Sequence, residues 1–294
     1  MSPEAMKPTI ADVVSARTRQ SSPGRIFADA FAADQFSAQV EYPVTITDSL
    51  VSSRRKPRYP TRNMFRVTDL SRDPRRYYWH ETPPLPEDPE IPDGKLRQEL
   101  THRFGAARVP ELLPTTAWVQ VPENLWRDPE TFASFIDYRL VMRLSAAENQ
   151  AIIRGDGGLL NIAGIGRMTS AGPFASTLLA AFNAVEQTGA TADGLIINPH
   201  DFYLFLGQGH LIADLEQNGV FVVRTRLVDQ GTAIIGDFGH GAHLFDAGRS
   251  VIRFAEPPPG TFAEPGVALT AEIRERVVVS MPATFFVVSL WPDS

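Results

Sequence analysis

The sequence predicts an α+β fold built around one long helix, and three stretches carry that prediction. Residues 128–158, DPETFASFIDYRLVMRLSAAENQAIIRGDGG, are the longest uninterrupted helical pattern in the chain. Residues 194–290 hold short β-prone runs separated by glycine turns and include a long alternating segment at 268–280. Residues 54–94 are neither. They form an extended excursion with basic charge first and acidic, proline-rich sequence after it.

The helix justifies itself residue by residue. Asp128 is placed to cap the first turn, and Pro129 stands where a missing N–H costs nothing. Glu130 puts negative charge at the positive end of the helix dipole. Phe132, Phe135, Ile136, Leu140, Leu144, Ala147 and Ala151 recur at helical spacing, with Arg139, Arg143, Glu148 and Asn149 between them. Gly155-Asp156-Gly157-Gly158 then stops the helix, because repeated glycine favours turns. At about 1.5 Å per residue it is on the order of 35–40 Å long, enough to act as a spine.

Composition bounds the class. The chain of 294 residues is 43% hydrophobic and 21% charged, which fits a globular protein with ample material for a core. A net charge of −6 argues against bulk nucleic-acid binding. With no cysteine, thiol catalysis, cysteine-ligated metal and disulfides are excluded, and a cytoplasmic location is the expectation. The first twenty residues lack the apolar core of a signal peptide, and no window approaches a membrane span.

In chain order, a short helix is expected near Ile10–Arg19, and a second at 24–38, where Phe27, Ala30 and Phe31 share a face. That second helix either packs on the core or offers a docking surface. Residues 40–53 read as a strand and turn. The excursion carries Arg54, Arg55, Lys56, Arg58, Arg62, Arg66, Arg72, Arg75 and Arg76, ends its basic half in Tyr77-Tyr78-Trp79, and continues through Glu87, Asp88, Glu90 and Asp93 among prolines. Charge segregation of this kind suits an arm reaching over a neighbouring subunit, where opposite charges set register. Residues 118–121 alternate as a strand entering the spine. After the spine come a glycine-rich loop, a helix at Phe174–Gln187, a buried strand at 194–197 stopped by Pro199, and a short helix from His200. Short strands follow at 220–224, 232–237, 243–246 and 251–254, then the 268–280 strand and a last turn and strand at 281–290, all on a single core.

No catalytic, cofactor or metal site is predicted. The glycines of GDGGLLNIAGIG follow a helix, whereas a dinucleotide fingerprint needs strand, turn, then helix. His240, His243 and Asp246 are close in sequence but lack a further local ligand. His200 and Asp201 fit helix-start chemistry, and neither a phosphate loop nor a nucleophile elbow is present.

The order of features is more informative than any one of them. A spine ending IIRGDG, the loop Leu159–Gly166, a helix ending NAVEQTG, LIINPHDFYLFL at 195–206, IIGDFGHGAHLFDAG at 234–248 and AEIRERVVVSMPATFFVVSL at 271–290 together resemble the tailed-bacteriophage major capsid fold. That family comprises viral capsid proteins and encapsulins, the cellular shells that enclose enzymes. The resemblance implies a long spine helix, an extended arm (E-loop), and peripheral and axial domains. Carried onto this chain, it gives an N-terminal arm and helix at 1–39, a core strand at 40–53, the extended arm at 54–121, and the peripheral and axial domains at 122–294.

The function so implied is a self-assembling icosahedral shell of the encapsulin kind. Its partners would be further copies of itself and a cargo protein docked on the lumenal face. A phage capsid packaging DNA is the alternative, a small-oligomer enzyme a remote one, and no cofactor is implied. The resemblance places Arg72, Arg75, Arg76, Tyr77, Tyr78 and Trp79 at an inter-subunit contact of the arm and Phe27 and Phe31 towards cargo. Only Lys56 and Lys95 flank the excursion, which gives covalent cross-linking between arms little support.

Overall fold

The spine follows expectation at its two ends and departs from it in the middle. In the computed structural model, which describes residues 22–33, 38–42, 61–71, 76–82, 103–122, 125–170, 172–208, 211–255 and 266–291, Asp128 Oδ1 accepts the Glu130 and Thr131 N–H groups at 3.0 and 3.4 Å. Helix α2 (Pro129–Phe135) starts from that cap. It gives way to a π-helical stretch, Ile136–Leu140, before helix α3 (Val141–Arg154). The sequence pattern contains the reason. Buried positions recur at Phe132, Ile136, Leu140, Leu144, Glu148 and Ile152, every fourth residue. Four residues of ordinary helix turn through about 400°, so each step drifts by about 40°. A run of wide turns, in which Val141 N–H reaches back to the Ile136 carbonyl, takes up that drift. It also lets Leu140 and Val141 both be fully buried. At the far end Gly157 adopts φ 71°, open to glycine at little cost, and Asn161 Nδ2 donates to the Arg154 and Gly155 carbonyls.

The chain forms two compact units, each discontinuous in sequence, rather than a single core. Unit 1 comprises 1–59, 112–148 and 246–275; unit 2 comprises 60–111, 149–245 and 276–294.

In unit 1, helix α1 (Pro23–Ala33) packs on α2. Gly24 permits the close approach: a Cβ there would run into the Ala133 carbonyl, and Gly24 N–H donates to Asp137 Oδ1 at 2.9 Å. Strands β1 (Gln39–Tyr42) and β5 (Leu113–Pro122) lie at the two ends of the strand order β1-β10-β11-β5, where β10 is Ala242–Ala255 and β11 is Gly266–Val279. Ala117, Val119 and Val121 of β5 pair with Ala271, Leu269 and Val267, and the alternation puts those three β5 residues into the core with Leu269, Ala271 and Ile273.

In unit 2, the sheet order is β6-β12-β9-β7-β8, with β6 Gly166–Met168, β7 Gly194–Ile197, β8 Phe221–Arg224, β9 Thr232–Gly236 and β12 Phe285–Ser289. Both faces are covered. Leu195, Ile197, Ala233, Ile235 and Val288 share a cluster with helix α4 (Phe174–Gln187), while Ile196, Ile234 and Phe285 join Ile152, Ile153 and Leu159. Such double burial is why β7 reads as an unbroken apolar run. Asn198 caps helix α5 (Pro199–Gln208) by accepting His200 N–H at 2.9 Å, while Asp201 turns inward to accept Gly231 N–H at 2.7 Å.

Several boundaries differ from the sequence reading. Residues 243–246 and 251–254 are one strand, β10, because Asp246 Oδ1 accepts Gly248 N–H and carries the chain through the glycine. Strand β6, only three residues, and helix α6 (Leu211–Gln217) were not anticipated. The expected helix near Ile10–Arg19 lies outside the described residues. Among the described residues no helix is long and apolar enough to cross a membrane.

Candidate assembly surface

The basic-aromatic half of the excursion ends in an antiparallel ribbon. Strands β3 (Tyr77–Thr82) and β4 (Arg103–Arg108) pair in a two-stranded sheet, with Tyr77 opposite Arg108, Tyr78 opposite Ala107, Trp79 opposite Ala106 and His80 opposite Gly105. Val109 N–H donates to the Arg76 carbonyl at 3.0 Å and closes the base. The arm boundary inferred from sequence therefore runs too far: Leu113–Pro122 is strand β5 of the unit 1 sheet, held there by its alternating apolar face, and belongs to no arm.

A ribbon of two strands is marginal unless one face is covered. Here the two faces differ. Tyr78 and His80 point to one side and are half-buried; the Tyr78 ring lies 6.2 Å from the Phe245 ring of β10 and 6.2 Å from His80. Burial raises the Tyr78 hydroxyl pKa. Tyr77 and Trp79 point to the other side and remain 66% and 68% exposed. Opposite them stand Arg108 and Ala106, both exposed, so two large aromatic side chains project from an open ribbon face.

Of the six residues expected on an arm contact, Arg72 and Arg75 lie outside the described residues. Arg76 is exposed at the ribbon base, Tyr77 and Trp79 share the open face, and Tyr78 is turned inward. Phe27 and Phe31 require a correction. They are 0% and 6% exposed, and their rings pack on Phe132 (6.1 and 5.4 Å) and Phe254 (5.4 Å each), with Trp126 5.9 Å from Phe31. The spacing that marked an apolar face is the core face of α1, not a cargo-facing one.

Sequence reasoning weighed His243 only as a metal ligand and missed its place beside Phe245. His243 of β10 lies 5.9 Å from the Phe245 ring, and burial, helped by the positive charges of Arg66 and Arg76, holds its pKa below the usual imidazole value. The signal was available in the period-2 alternation of Tyr77-Tyr78-Trp79-His80, which separates an outer aromatic pair from an inner Tyr-His pair.

Comparison with known proteins then places the chain. The model of the Phage capsid family matches residues 114–289, more than half of it. The chain belongs to the phage capsid family. A curated relative, the major capsid protein of Enterobacteria phage HK97, is 22% identical over 178 residues, covering 53% of this chain and 46% of that protein. This capsid-family chain thus spans about half the length of the curated relative it matches. Among solved structures, a virus-like particle from Pyrococcus furiosus aligns with a TM-score of 0.55 at 16% identity, covering 83% of this chain and 95% of that one. The Mycobacterium phage Adephagia structure aligns with a TM-score of 0.54 at 13% identity, covering 84% and 93%. The fold is the tailed-phage major capsid fold, an α+β architecture.

Proposed function

We propose that this chain is a structural subunit that assembles with copies of itself into a closed icosahedral shell, and that the β3–β4 ribbon is an arm whose Tyr77–Trp79 face docks on a neighbouring copy. The observation that carries the reading is the sorting of aromatic side chains on that ribbon. One face is anchored on Phe245, and the other leaves two large rings in water, as expected of a surface kept for association. Head-to-tail contacts that close on rotation generate a shell without a second kind of subunit. The role is structural, not enzymatic.

Within that role two readings of the contents stand beside each other. The encapsulin reading, a shell around a cargo protein, is supported by the Pyrococcus furiosus virus-like particle, which this chain covers almost end to end. The phage reading, a capsid around DNA, is supported by the sequence match to the HK97 major capsid protein. With Phe27 and Phe31 in the core, neither residue is offered as a cargo contact.

One preparation tests both levels. Purified protein is expected to elute as large particles and to show closed shells in electron microscopy; a chain that stays a small oligomer at all concentrations overturns the assembly reading. Nuclease-protected DNA inside the particles assigns the phage reading. A co-purifying protein in fixed ratio, identified by mass spectrometry, assigns the encapsulin one.

A further inference from the structure

Helix α6 runs into the one asparagine–glycine step of the chain: of its seven asparagines, only Asn218 is followed by glycine. Glycine carries no Cβ to screen its own nitrogen, so Gly219 N is the backbone nitrogen best able to reach the side-chain carbonyl carbon of the asparagine before it. The fold holds this pair in a defined way. Val220 N–H donates to the Leu215 carbonyl at 3.0 Å and Gly219 N–H to the Glu216 carbonyl at 3.2 Å, the two bonds of a Schellman cap, with Gly219 at φ 89°. Asn218 N–H keeps its helical bond to the Asp214 carbonyl at 3.0 Å, and its Nδ2 donates to the same carbonyl at 2.8 Å. Val220 is buried in one cluster with Leu215 and leads directly into β8, while Asn218 and Gly219 are exposed to water.

We propose that Asn218–Gly219 is a self-modification site gated by the last turn of α6. In the closed cap the nucleophile is tied to Glu216 and the leaving amide to Asp214. When the turn opens, Gly219 N gives its proton to water or buffer base and attacks Asn218 Cγ. The new N–C bond forms as the Cγ–Nδ2 bond breaks, and ammonia leaves. Water then opens the cyclic imide at one carbonyl or the other, giving aspartate or isoaspartate at 218 with no change in oxidation state. Water is the only co-reactant. The rate is the intrinsic rate multiplied by the fraction of time the cap is open. The product also weakens the cap that delayed it. A carboxylate at 218 has no N–H for the Asp214 carbonyl and stands at the negative end of the helix. Isoaspartate adds a backbone atom just ahead of β8, an edge strand whose pairing with β7 begins at Phe221 opposite Gly194.

Ageing the full chain in mildly alkaline buffer tests this, read by peptide mapping for the mass gain of NH2 replaced by OH and by isoaspartyl methyltransferase labelling. Asn218 should convert before any other asparagine, and on the order of tenfold faster in guanidinium-unfolded protein than in the folded chain, because only the open cap reacts. Val220→Ala keeps the Asn-Gly step but removes a contact that closes the cap, so the folded variant should convert faster than the wild type. If that variant does not fold, the wild-type comparison of folded and unfolded protein decides alone. Asn218→Gln should abolish the signal in its peptide, and Asn218→Asp, which carries the product charge, should speed hydrogen exchange at the Val220 amide. Equal rates in folded and unfolded protein, or an unchanged rate in folded Val220→Ala, overturn the gating. Another asparagine converting first in the folded chain, or no conversion at Asn218 in guanidinium, overturns the site. Unchanged exchange in Asn218→Asp overturns the weakening of the cap by its own product. None of these outcomes depends on whether the chain forms shells.

Discussion

Replacing Trp79 by alanine separates what the ribbon does for the subunit from what it does for the shell. Burying a tryptophan removes about 150–250 Å² from water, and at 68% exposed most of that area is still available. At about 25 cal/mol per Å², complete coverage by a neighbour would contribute roughly 2.5–4 kcal/mol, and half coverage about 1–2 kcal/mol. The lower figure corresponds to about a fivefold to thirtyfold rise in the concentration at which particles first form, since each 1.4 kcal/mol is a factor of ten. Light scattering across a dilution series reads that threshold directly, and negative-stain images confirm the particles. Thermal unfolding of the unassembled subunit should change little, within about 0.5 kcal/mol, because Trp79 is already 68% exposed in the subunit. A Trp79→Ala protein that assembles within twofold of the wild-type threshold would refute the reasoning: the open face would then be surface, not interface.

Three further outcomes follow from the geometry. Phe27→Ala should destabilise unit 1 by about 3–5 kcal/mol and lower a urea midpoint by about 1 M or more, whereas an unchanged midpoint would mean α1 does not hold the core. Gly24→Ala drives a methyl group into the Ala133 carbonyl and the Asp137 carboxyl, so a loss of about 1–3 kcal/mol by the same measurement is expected and a neutral result would contradict the close helix approach. His243 has a folded pKa below its ordinary value of 6.5, so its contribution to stability is complete above pH 6.5 and is lost as pH falls through the window beneath it. His243→Gln should flatten the melting temperature between pH 7 and pH 5 relative to the wild type; superimposable curves would discard the assignment.

How far the sequence discloses this molecule depends on whether a feature is local. The caps of the spine, the Phe174–Gln187 helix and the buried strand 194–197 follow from residue types within a turn or two of themselves, and each appears where the pattern places it. The π stretch is only partly local. Its cause, a four-residue repeat, is written in the chain, but its expression depends on α1 and the unit 1 sheet burying every fourth side chain. Strand β6, three residues long, exists because β12 offers it a parallel edge, and no periodicity over three residues can announce that. The misjudged pair, Phe27 and Phe31, failed for a related reason. An amphipathic face states that something apolar lies opposite it, and not whether that partner is the same chain or another.

The same limit explains why the ribbon carries the functional argument and α1 does not. Phe27 and Phe31 find four aromatic contacts with Phe132 and Phe254 inside unit 1, so their hydrophobic driving force is spent in folding. Tyr78 is likewise satisfied by Phe245. Tyr77 and Trp79, one residue to either side, are held outward by the strand alternation that turns Tyr78 inward. Register therefore couples the two events: anchoring the inner face obliges the outer face to be open. A one-residue slip in the β3–β4 pairing would bury the open pair and expose Tyr78 and His80. Backbone pairing thus delivers a packed Tyr78–His80 face and two exposed aromatic rings on opposite faces of the same six-residue strand, and only the second has area left to give to a neighbouring copy.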